Sequence, residues 1–263
     1  MKTILMREVR LNLKNLLIWS FVVGGIGMIC ILLYKSMEGD MKEMADAFSN
    51  MGAFADAFGM STLSIATFKG FFATEVGTVH SLGSGMFAAL IAVCILSKEE
   101  EGHTGEFLLS LPVSRTSVVA AKGLCVAVML VVFTLFCSLL YWVGILIVGD
   151  EMPVAGFLEF MGKQCLMDLE IGAVCFAVSS LSWKNRTGLG LGIAVLFYFY
   201  DIIGRVVPDL KDALFIGPYS FANASEILSG KETEPAAIIT SLAVTAVCTV
   251  FAFLCYNKRD IAS

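Results

Sequence analysis

Apolar positions in this chain gather into long runs, unlike the alternation of half-buried strands or the one-sided stripes of soluble helices. The runs cover Leu16–Tyr34, Gly77–Ser97, Val118–Val148, Cys165–Trp183, Gly188–Val207 and Ala236–Tyr256. Each is near or above the ~20 residues that carry a helix across a bilayer. The pattern therefore predicts an all-α fold: a polytopic membrane protein with six transmembrane helices in a single domain over residues 1–263. The third run is the longest, which predicts a tilted helix or one that extends beyond the hydrocarbon.

Between the runs, three segments carry patterns of their own. In Met1–Lys14, Ile4, Leu5, Val9 and Leu11 alternate with Arg7, Glu8, Arg10 and Asn12 at helical spacing. This predicts an amphipathic interfacial helix over residues 1–15, lying on membrane lipid; a basic flank that only fixes topology has the same pattern. In the segment after the first run, Met37, Met41, Met44, Phe48, Met51, Ala55 and Phe58 recur every three or four residues among Glu38, Asp40, Glu43, Asp46 and Asp56. That is a second amphipathic helix, whose apolar stripe packs on the spans or covers the mouth of the bundle. Residues 98–117 are charged and marked by Gly and Pro. Glu99–Glu101 suit the positive end of a short helix, Phe107, Leu108 and Leu111 give it an apolar edge, and Pro112 ends it. Ser114 can cap the helix that follows. A short helix held away from the bilayer reads as a docking surface for a soluble partner.

Composition agrees with a membrane class: 57% of residues are hydrophobic and 16% charged, against about a quarter charged in soluble domains, and mean hydropathy is +0.83. The formal charge of −5, with no basic patch, argues against nucleic acid as a partner. The first run is too long for a secretory leader and lacks a small-residue cleavage site, so it reads as a retained span. Eleven Lys and Arg fall in the first, third and later alternate segments and seven in the others. The rule that cytoplasmic segments are basic then places both termini in the cytoplasm. The eight cysteines lie in or beside apolar runs without CxxC or Cys/His spacing, so they read as packing residues, with no metal site implied.

No catalytic motif survives inspection. Gly156–Gln164 superficially resembles a phosphate-binding loop, but it has one residue too many between the glycines and Gln where Ser or Thr belongs. Gly188–Gly192, Gly24–Gly27 and Ser81–Gly85 read as small residues for close helix approach. The two histidines, His80 and His103, form no HExxH. Tyr200-Asp201 lacks the second half of an intramembrane aspartyl protease pair. What remains are ionisable residues within spans, which are costly there and face a cavity or a partner. His80, Asp168, Glu170, Asp201 and Arg205 fall at similar depth in the outer leaflet. They suggest a polar cluster at an outer gate, with Asp201 and Arg205 paired at i,i+4; interfacial charges plus one structural ion pair would give the same sequence.

The segment after the second run resembles the first cytoplasmic loop of ABC-2 type transporter permeases, whose pattern is approximately E-E-x-x-G-T-x-E-x-L-L-S-x-P-V-S-R followed by a basic residue. Glu100, Glu101, Thr104, Glu106, Leu108, Leu109, Ser110, Pro112, Val113, Ser114, Arg115 and Lys122 match it. The departure is Gly102-His103-Thr104-Gly105, where relatives more often carry one Gly-Thr pair. The resemblance implies a permease without its own ATPase. It would pair with a second copy or a paralogue as a homo- or heterodimer and bind a separate P-loop ATPase that holds ATP and Mg. No cofactor is expected on this chain. The coupling helix would enter the ATPase, with Glu100, Glu101, Glu106, Leu109, Pro112 and Arg115 carrying the contact. The resemblance further implies export of a drug, peptide, lipid-like molecule or ion across a bacterial plasma membrane. Two other readings stay open: a stand-alone proton-coupled transporter using Asp168, Glu170 and Asp201, and a non-transporting scaffold or sensor.

Overall fold

The computed structural model describes residues 1–49, 51–103 and 113–258. Its first helix, α1 (Lys2–Ser49), is unbroken from the basic N-terminus through the first apolar run into the Met-rich segment. At 1.5 Å per residue it is about 70 Å long, more than twice the hydrocarbon thickness. No helix boundary separates residues 1–15 from the span, and the local sequence explains why. Neither Pro nor Gly stands between Lys2 and Val23, and the junction is rich in Leu, a good helix former. The Met-rich segment continues α1 as far as Ser49 and then resumes as the short α2 (Ala53–Ala57).

The second span is assembled from three pieces. Helix α3 (Phe68–Phe71) is capped by Thr67, whose Oγ1 accepts from Gly70 N at 3.1 Å. A π-helical turn (Phe72–Val76) leads from it into α4 (Gly77–Val93). The helix stops at Val93, short of the expected Ser97. Residues 94–97 form a turn in which Leu96 N donates to Ser179 Oγ at 2.9 Å, and α5 (Lys98–Glu101) follows. Helix α6 (Arg115–Val148) starts at Ser114, whose Oγ accepts from Ser117 N at 3.2 Å, and ends at Gly149 in the left-handed region with φ 77°.

Helix α7 (Val154–Leu181) begins well before the expected Cys165. Its first turns carry Glu159, Lys163 and Gln164, which broke the apolar run in sequence but find partners in the fold. Lys163 pairs with Glu159 and Thr233, and buried Gln164 donates to Ser81 Oγ at 2.7 Å and Ala222 O at 2.8 Å. The segment resembling a phosphate-binding loop therefore lies on a continuous helix. Helix α8 (Thr187–Val206), a 3-10 stretch (Pro208–Ile216), α9 (Ala224–Leu228) and α10 (Pro235–Lys258) complete the chain.

Six helices among the described residues are long and apolar enough to cross a membrane, and the fold is all-α. Helix α1 lies along α6, α10 along α7, and α4 is held between α7 and α8. Aromatic residues fill the centre, with the Phe87 and Phe133 rings stacked at 4.7 Å. Large apolar side chains such as Leu196, Val247 and Leu146 point outward, as the lipid-facing surface of a membrane bundle requires. The start of α1 and the end of α10 lie at the same end: Thr116 donates to Asn257 at 3.4 Å, and Glu8 reaches Lys122. The other end carries the Lys35–Asp150 pair and the 3-10 stretch.

Candidate functional site

At the end bearing the start of α1 and the end of α10, three buried charged side chains and the partly buried Lys98, from three helices, form one network. Lys122 of α6 is fully buried, and its Nζ donates to Glu99 Oε2 at 2.6 Å and to Ile95 O at 2.5 Å. Glu8 of α1 approaches the same ammonium with Oε1 at 3.5 Å, while its Oε2 accepts from Lys98. Helix phase brings them together. Glu8 follows Ile4 by one turn on the buried stripe of α1, and Lys122 follows Val118 by one turn on the buried face of α6. A lone buried charge would cost several kcal/mol; here two carboxylates and two ammoniums alternate, and each has a bonded partner. The result is a clamp that ties α5, at the start of the 98–117 segment, to two spans.

The residues matched to the coupling loop take different places around this clamp. Glu100 is buried, Glu101 is exposed, and Arg115 is half-buried at the first turn of α6. Glu106, Leu109 and Pro112 lie outside the described residues, as does most of the expected coupling helix. Glu8, Lys98 and Glu99 were missed as site residues. The available signal was a carboxylate at position 8 on the apolar stripe of an otherwise basic helix, with a lysine at 122 inside an apolar run.

At the opposite end the five candidate gate residues do not form one cluster. His80 is buried in an aromatic box: Nδ1 is 3.1 Å from Tyr141 Oη, and the ring stacks on Phe133 with centroids 6.0 Å apart. Asp168 is fully buried, and its carboxyl faces Ser84 of α4. Glu170 faces Ser241 of α10 instead. Successive helical residues are turned by about 100°, so positions 168 and 170 look to nearly opposite sides and cannot join one site. Only Asp201 and Arg205 come together. Their contact is bidentate, at 2.8 and 3.0 Å, and Arg205 Nη1 also donates to Glu226 at 3.0 Å, which in turn pairs with Lys231. Nearby, burial pushes the Tyr219 phenol well above its ordinary pKa, so it stays protonated.

The fold defines a multi-pass, helical membrane protein. The chain belongs to the ABC-2 family transporter proteins, whose family model matches residues 3–261. The resemblance read from Glu100 to Lys122 is thus borne out at the level of the family. The chain is also similar to the probable ABC transporter permease protein NosY of Pseudomonas aeruginosa, with 29% identity over 176 residues. That match covers 60% of this chain and 64% of the relative, so the chain spans a little under two thirds of NosY.

Proposed function

We propose that this chain forms the transmembrane path of an ATP-driven exporter in a bacterial plasma membrane, with both termini cytoplasmic. It works as a dimer with a second copy or a paralogue, and a separate P-loop ATPase holds ATP and Mg. The cargo is a drug, peptide, lipid-like molecule or ion. The clamp joining Glu8, Lys98, Glu99 and Lys122 carries this reading. It makes the base of the 98–117 segment rigid with α1 and α6, so a push on that segment moves two spans as a body. Within it, exposed Glu101 and the Arg115 turn meet the ATPase, together with Glu106, Leu109 and Pro112, while buried Glu100 belongs to the base of the segment.

The test is co-expression with a P-loop ATPase, sought first in the reading frames beside this one. Glu101→Lys combined with Arg115→Glu is expected to abolish co-purification and transport while leaving the helical fold intact. Unchanged co-purification and transport would overturn the docking assignment. The fully buried Asp168 carboxyl, with no cation paired to it among the described residues and only Ser84 facing it, favours a second reading, proton-coupled transport without an ATPase. Cargo movement in vesicles that lack the ATPase, collapsing with an uncoupler, would favour that reading over the first.

A further inference from the structure

A cavity of about 410 Å³ opens between α1, the residue 58–65 segment and the π-helical turn. Its walls are soft and apolar: Met37, Met41 and Met44 from α1, then Met60, Phe58 and Phe71. Thr74 and Glu75 from the π-helical turn and Thr78 from α4 interrupt them with polar groups. Glu75 is half-buried, and its carboxylate has neither a hydrogen-bond nor an ion-pair partner among the described residues. Thr74 is 4% exposed, and its Oγ1 is likewise without a partner.

Buried polar groups in proteins are overwhelmingly satisfied, so an orphan hydroxyl beside an orphan carboxylate calls for a reason. The backbone supplies a second, independent pointer. A π-helical turn is rare, weakens the local hydrogen-bond ladder and recurs at functional sites. Here it falls on residues 72–76, where the two orphan groups are displayed. Just beyond it, a Cβ on Gly77 would come within 2.7 Å of Ala224. The helix is therefore pressed against α9 on one side and opened toward the cavity on the other.

We infer that this cavity binds an amphiphilic organic cation: a quaternary ammonium or delocalised aromatic cation with an apolar body. Glu75 supplies the opposite charge, and the faces of Phe58 and Phe71 attract a cation through their ring quadrupoles. The flexible thioethers of Met37, Met41, Met44 and Met60 adapt to an irregular apolar body. Thr74 Oγ1 offers a hydrogen bond to a polar substituent. The volume matches a drug-sized ligand and greatly exceeds what a bare metal ion fills, so a soft-metal site formed by the same sulfurs is the less fitting occupant. The inference names a cargo class for the proposed exporter, but the site itself needs no ATPase, and its test is set up accordingly.

The full-length chain in lipid nanodiscs, without any ATPase, is titrated with ethidium and tetraphenylphosphonium, with silver(I) as the soft-metal probe. Saturable binding of the organic cations is expected. Glu75→Gln should weaken it by about tenfold or more, and Glu75→Asp should restore part of it. In the unaltered protein, dicyclohexylcarbodiimide should label Glu75, and tetraphenylphosphonium should protect it, as read by peptide mass spectrometry. That second measurement decides the question if the variant fails to fold. Absence of saturable cation binding, binding unchanged in Glu75→Gln, labelling without protection, or binding of silver(I) alone would each overturn the proposal. None of these outcomes bears on whether the ATPase docks, which co-purification reads separately.

Discussion

Single residues carry the main functional tension in this molecule, because charge inside a bilayer-spanning bundle is tolerated only with compensation. Lys122 has no exposed surface, and its ammonium serves both Glu8 and Glu99. Lys122→Met keeps the stem's volume but leaves two carboxylates facing each other in a buried site. Breaking a buried ionic group in this way costs about 3–5 kcal/mol. We expect a clear drop in melting temperature in detergent, largely recovered when Glu8→Gln and Glu99→Gln are added. An unchanged melting temperature in the single variant would show that the clamp contributes nothing to stability. The sequence exposed half of this arrangement. A lysine inside the third apolar run and glutamates beside the second were visible, but their meeting with Glu8 depends on how α1 lies against α6, a long-range contact that no local pattern encodes. The same limit explains the gate residues. Asp201 and Arg205 were legible as an i,i+4 pair because one helix sets their distance. Assigning His80, Asp168 and Glu170 to their company rested on depth alone, and depth does not fix helix phase.

At the scale of elements, hydrophobic runs located the helices but not where they begin and end. Helix α7 starts early because Lys163 and Gln164 find partners across the bundle, and α1 runs on because nothing in its sequence stops it. The π-helical turn left no mark in composition, since one extra residue per turn changes neither hydropathy nor period enough to be read. The glycine-rich stretches were legible in kind but not in detail. A Cβ on Gly27 would lie 2.4 Å from the Tyr141 ring, whereas one on neighbouring Gly25 would meet nothing within 4 Å. Gly27→Ala should therefore push α1 away from α6 and disturb the Tyr141 contact to His80. The overpacking cost is typically about 1–3 kcal/mol. Gly25→Ala, on the same helix, should melt like the unaltered protein. Equal melting temperatures for the two variants would mean that α1 and α6 do not approach as closely as the structure has them.

For the whole molecule, one architectural fact organises function: the start of α1, the end of α10, α5 and the start of α6 share an end, and the Arg205–Glu226 network sits at the other. Charge gives this axis a direction. Lys2, Arg7, Arg10, Lys14, Lys98, Arg115, Lys122, Lys184, Arg186 and Lys258 belong to the terminal end, while the opposite segments hold fewer cations spread along longer stretches. Retention of basic segments during insertion supports the proposed topology, in which the terminal end faces the cytoplasm, the side on which ATP and a soluble ATPase are found. The Glu75 cavity, lined by Met41 and Met44 beyond Lys35, then lies toward the outer half, where a cargo would be released or intercepted. Sandwich insertions test the axis directly. Alkaline phosphatase placed after Asp150 or Lys231 should be active, and the same enzyme placed after Lys184 should be silent. A fluorescent protein fused at the C-terminus should mature. The reverse pattern would put the clamp outside the cell, beyond the reach of any ATPase, and would remove the coupling role from this end of the molecule while leaving the cation site in the cavity to be judged on its own binding data.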